Sequence, residues 1–141
     1  MSGAESVAAA VIFVWLGMVL AISFLEAPLK FRAPGVTLLV GLGIGRLVFR
    51  ALNTVEAALA TVVVITMIVG TPPERFLAPA TTVVVVLAIQ LVAVRPKLTR
   101  RSDLVLSGGE APRSRSHYAY IALEGIKVLA LLAAGIGALT R

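Results

Sequence analysis

Polar residues are sparse along this chain, and they interrupt long apolar runs rather than alternating with them. From Ser6 to Leu25 the run is broken only by Trp15, Gly17 and Ser23. Three more runs follow, at about Ala51–Gly70, Leu77–Val94 and His117–Leu139. Stretches of about 20 apolar residues match the length of helix that crosses a bilayer. Valine-rich pieces such as Val62–Ile65 and Val83–Val86 would suit strands, but their place inside such runs predicts membrane helix instead.

Breaks between the runs carry most of the turn chemistry. Glu26-Ala27-Pro28 closes the first, and Pro28 with Pro34 predicts a corner there. Gly35 to Leu52 holds ten apolar residues or glycines before Arg46 and Arg50, too few to cross a bilayer. It reads as an interfacial amphipathic or re-entrant helix, with one long kinked helix through to Gly70 as the alternative. Gly41, Gly43 and Gly45 do not make a dinucleotide loop, since no strand precedes them and position 46 is Arg. Gly41 and Gly45 form a small-xxx-small pair suited to helix packing. Residues 95–116 are basic and rich in Gly, Ser and Pro, as in a mobile cytoplasmic linker. The expected architecture is one all-α domain over 1–141, an integral membrane four-helix bundle.

Two polar faces stand out against this background. Arg46, Arg50, Asn53 and Glu56 recur at helical steps, as do His117, Tyr120, Glu124 and Lys127 near the start of the last run. Both faces fall toward the cytoplasmic ends of their expected spans, with Glu26 at the same depth. Charges this deep turn inward and find partners, because an unpaired one costs about 2.5–3.5 kcal/mol on insertion scales. Glu26, Glu56 and Glu124 against Arg46, Arg50 and Lys127 make a neutral set, expected together with Asn53, His117 and Tyr120 as one nine-residue polar cluster. In it Glu56 would meet Lys127, and Glu124 would meet Arg50 or Arg46, while Glu124 and Lys127 can also support each other at i,i+3. Its role is either structural pairing or a ligand site; an anion site would show surplus positive charge and a metal site surplus acid.

Composition narrows the chemistry. The 141 residues are 59% hydrophobic and 14% charged, against about a quarter charged in soluble domains. Zero cysteines exclude disulfides and thiolate chemistry, and a single histidine, His117, excludes a self-contained multi-histidine metal or haem site. The net charge of +6 reports membrane orientation and contact with anionic headgroups rather than nucleic acid. MSGAES lacks the basic start of a signal peptide, so the first run is expected to stay as a membrane helix.

At Trp15–Gly17, Glu26–Phe31 and Gly43–Asn53 the chain resembles the uncharacterised four-helix family that includes transmembrane protein 205. That resemblance implies an Ala-Pro-x-x-Phe corner at Ala27–Phe31, a Gly-containing amphipathic stretch and a histidine opening the last helix, here His117. Arg50–Glu56, RALNTVE, is also similar to a signature of the membrane-associated eicosanoid and glutathione metabolism family. This second likeness implies a glutathione site on Arg46, Arg50, Asn53 and Glu56. One residue is missing between Ala51 and Asn53, which turns Arg50 by about 100° around the helix relative to that pattern.

Three functions remain open. The first is a non-enzymatic accessory or assembly subunit of an envelope or transport complex, with a protein partner or a homo-oligomer and no cofactor. The second is a glutathione-dependent membrane enzyme. The third is a small-molecule or ion pathway through the polar residues.

Ten of the thirteen lysines and arginines fall in the first and third connections, at residues 30–50 and 95–115. The positive-inside rule places those connections in the cytoplasm and both termini outside. A reporter at either terminus should therefore be external and one beside Arg101 cytoplasmic. A cytoplasmic C-terminus would overturn the topology.

Overall fold

The computed structural model describes residues 2–109 and 115–140. Four helical rods make an all-α bundle, with no strand among the described residues, and each rod is long and apolar enough to cross a membrane. We label them α1 (Gly3–Arg32), α2 (Leu38–Val69), α3 (Glu74–Leu106) and α4 (Arg115–Leu139). In the ring of helices α1 lies between α2 and α4, and α4 lies between α1 and α3. Contact between α2 and α3 is sparser, and a groove opens there. Ile12, Trp15, Val19, Val63, Val83, Leu87, Leu131 and Ala134 form the apolar centre.

Local chemistry explains where the rods begin. Ser2 opens α1 with a capping box: its hydroxyl accepts from Glu5 N–H, and the Glu5 carboxylate accepts from Ser2 N–H. Thr37 caps α2 by accepting from Val40 N–H. The corner between them uses Gly35 at φ +81°, a backbone conformation that disfavours a side chain.

Three expected boundaries need correction. The corner is not at Pro28, because α1 continues to Arg32. No separate interfacial helix follows it, because Leu38–Val69 is one continuous α-helix, as in the single-helix alternative. Nothing between Pro34 and Pro72 breaks that helix, and three glycines in its first turns cost too little to end it. Residues 95–106 of the expected linker are helical too. The part of that linker at 110–114 lies outside the described residues.

One mechanism carries the chain through Pro28 and Pro96. A proline inside a helix lacks its N–H and presses on the carbonyl four residues back. Each of these prolines follows a wider π-helical segment, Leu20–Glu26 before Pro28 and Gln90–Val94 before Pro96. There the bonds reach back five residues, from Ala27 N–H to Ile22 O and from Arg95 N–H to Gln90 O. Widening the turn relieves the clash and keeps the rod going.

At the opposite end of the bundle both termini meet the α2–α3 connection. Ala4, Glu5, Gly70, Pro72, Arg75, Ala138 and Thr140 surround one hollow there. Arg75 closes α4 from this side: its Nε donates to Gly137 O at 3.1 Å, and a terminal nitrogen donates to Thr140 O. A cation on the last carbonyls of a helix suits its dipole. Gly137 lets the backbones touch, since a Cβ there would run into the Arg75 carbonyl group. Gly137→Ala should therefore lower thermal stability by about 1–3 kcal/mol, as overpacking does. Gly43, where a Cβ meets nothing within 4 Å, supplies the control. Gly43→Ala should be neutral or stabilising by about 0.5–1 kcal/mol, and equal effects in circular-dichroism melts would refute the contact.

Candidate functional site

Lys127 is fully buried in the middle of the bundle, and its ammonium has three donors to satisfy. All three are used. Its Nζ lies 2.5 Å from Glu56 Oε1 and 2.5 Å from Glu124 Oε1, and it donates to Gln90 Oε1 at 2.8 Å. The amide of Gln90 returns a bond from Nε2 to Glu124 Oε1 at 2.8 Å. Trp15 Nε1 donates to Glu56 Oε1 at 2.9 Å, and Ser23 Oγ donates to Glu124 Oε2 at 2.6 Å. Trp15 and Ser23 lie on α1, Glu56 on α2, Gln90 on α3, and Glu124 and Lys127 on α4. Lys127 and its two carboxylate partners thus join all four rods.

The π-helical segments help to aim these groups. Ser23 lies within the first and Gln90 opens the second, and both bond to Glu124. Prolines that shape the rods therefore also shape the approach to the buried carboxylate. Glu56, Glu124, Gln90 and Lys127 are each no more than 2% exposed. Neither the hollow at the termini nor the α2–α3 groove is lined by any of them. Glu56 Oε2 is the one buried oxygen of the six with no hydrogen-bond partner.

The expected nine-residue cluster is therefore two groups and several separate residues. Glu124 pairs with Lys127 rather than with Arg46 or Arg50, because Lys127 lies one turn along the same helix. Glu26 lies apart, 3.7 Å from Lys30 on its own helix. Arg46 pairs with Asp103 at 2.5 Å, across to the far end of α3. Arg46, Arg50 and Asn53 line the α2–α3 groove, facing Arg95 and Thr99. Tyr120 stands beside the groove, edge-on to Phe49 at 6.0 Å, with the Arg95 guanidinium over both rings. His117 meets the Tyr118 ring at 5.7 Å. Gly41 and Gly45 face the end of α1, where added Cβ atoms would press on the Phe31 ring and the Lys30 ammonium.

The expected neutral set is also redistributed. The inner group holds two carboxyls against one ammonium, and the groove holds three guanidiniums near one carboxylate. Depth changes too, because Gln90 is equidistant from the ends of α3, so the inner group lies at mid-length rather than near one end. Trp15, Ser23, Gln90 and Arg95 escaped the sequence reading. Ser23 and Gln90 were the polar interruptions of otherwise apolar runs, and that was their available signal. Trp15 and Arg95 carried none, being ordinary in a membrane helix and at its end.

In comparisons with known proteins, no family model, no curated protein and no solved structure matches the chain. What the inner group can do follows from its geometry alone. Removing one member of a buried ion pair strands an opposite charge, at about 3–5 kcal/mol. Lys127→Met should lower stability in detergent by that order, and Glu124→Gln should lower it as well. Glu56→Gln combined with Lys127→Met should cost less than the sum of the single changes, because the interaction is shared. Strict additivity in thermal or denaturant melts would contradict a coupled network.

Proposed function

We propose that this chain is a non-enzymatic subunit of a larger membrane assembly, acting through its outer surface rather than through chemistry in its core. The closure of the polar core carries this reading: every donor on Lys127 is spent on the bundle itself, and neither the hollow at the termini nor the α2–α3 groove is lined by it. Gly17, Gly43 and Gly125 give further support. A Cβ at any of them would meet nothing within 4 Å, so their small size serves no contact among the described residues. In lipid, small residues on a helix face favour close association with another helix. The subunit sits in the cytoplasmic membrane with its basic end inside and both termini outside, as the distribution of lysine and arginine supports.

A glutathione-dependent enzyme would need Glu56 beside Arg50 and Asn53 in the groove. Its carboxyl instead turns into the core toward Trp15 and Lys127. One observation favours an ion pathway as a second reading. Two carboxyls share one lysine, and Glu56 Oε2 has no hydrogen-bond partner, so a proton carried there would balance the group. Proton flux in proteoliposomes, abolished in Glu56→Gln, would establish it in place of the first reading.

Native mass spectrometry after gentle solubilisation tests the assembly role. A stoichiometric second protein is expected, and Gly125→Leu should weaken its retention while leaving the bundle folded. A monomer or a clean homo-oligomer would overturn the role as a subunit of a mixed complex.

A further inference from the structure

The groove between α2 and α3 carries more positive charge than the bundle neutralises. Arg46, Arg50 and Arg95 converge on a space of about 440 Å³, with Asn53 and Thr99 beside them. Arg46 is matched by Asp103. Among the described residues neither Arg50 nor Arg95 has a carboxylate partner. Arg95 is held by rings instead, its guanidinium 5.3 Å from the Phe49 centroid and 5.8 Å from that of Tyr120. Stacking of this kind fixes the plane of a guanidinium while leaving its edge N–H groups able to donate. The side amide of Asn53, on a residue only 9% exposed, lies in the same groove with no hydrogen bond to the described chain.

We propose that this groove binds the phosphate of an anionic phospholipid headgroup, with Arg50 and Arg95 as the two forks and Asn53 and Thr99 as additional donors. Guanidinium groups match phosphate oxygens in pairs, and Arg50 and Arg95 present two such forks from facing helices. The shape of the lining identifies the source as lipid. Because α2 and α3 run antiparallel, Arg46 and Thr99 mark one end of the groove, and Ala57 and Leu91 line the other end, toward mid-bundle. Charge at one end and apolar surface at the other follow the order of a headgroup and its acyl chains. This site needs no protein partner, so failure to find one would leave it standing.

The test is lipid retention by the full-length protein in nanodiscs containing phosphatidylglycerol and phosphatidylcholine, read by native mass spectrometry after release. Wild type should hold phosphatidylglycerol selectively. Arg50→Gln and Arg95→Gln should each weaken it about fivefold, the change expected for one well-placed basic residue. Arg95→Lys should be weakened too, since the ammonium keeps the charge without the fork. Arg100→Gln, exposed at the same end but outside the groove, is the control and should match wild type. Equal losses in Arg50→Gln and Arg100→Gln would mean diffuse surface attraction and would overturn the site. Circular-dichroism melts of each variant separate loss of binding from loss of fold. Millimolar inorganic phosphate should leave the lipid in place; displacement by it would overturn the lipid as the ligand.

Discussion

A single ammonium in the centre of the bundle is what the four helices have in common. Lys127 cannot be solvated by lipid or by apolar side chains, so the bundle must supply its partners or lose several kcal/mol. Glu56, Glu124 and Gln90 supply them, and Trp15 and Ser23 then complete the two carboxylates. Because those six residues come from four helices, satisfying one charge sets the rotation and depth of every rod. Apolar packing around Ile12, Val63 and Leu131 fills the space but would tolerate small slips. A hydrogen-bonded charge does not.

Backbone irregularity serves the same centre. A straight helix reaching Pro28 or Pro96 would kink or end there. Wider turns absorb both prolines, and in doing so they place Ser23 and Gln90 where Glu124 can use them. The prolines, the π-helical segments and the polar centre are therefore one arrangement rather than three. Continuation of α3 past Pro96 also extends the groove, because it adds Thr99 one turn beyond Arg95, opposite the arginines of α2.

Much of the architecture was legible in the sequence because apolar runs of membrane length have few alternative readings. Glu56, Glu124 and Lys127 were legible as inward-facing for the same reason: lipid forbids the other choice. Their partners were less so. Helical spacing shows which residues share a face, and so it gives the Glu124–Lys127 pair at i,i+3, but it does not show which face meets which, and so it does not exclude Arg46 or Arg50 as a further partner of Glu124. Helix ends were misread at Pro28, Leu52 and residue 95, where proline and arginine ordinarily mark boundaries. A π-helical turn leaves no simple signature in sequence, and an arginine inside a long helix is tolerated once it has Asp103 to pair with.

Lys127 holds Glu56 in the position where Trp15 can bond to it. Trp15 is the only tryptophan in the chain, so its fluorescence reports on that bond without interference. Comparing its emission in wild type and in Lys127→Met, both folded in detergent, is the most direct measurement. A shifted emission maximum is predicted, since without the ammonium the Glu56 carboxyl no longer has a reason to face the indole. An unchanged spectrum in the folded variant would contradict the claim, because the Trp15–Glu56 contact would then stand without the lysine.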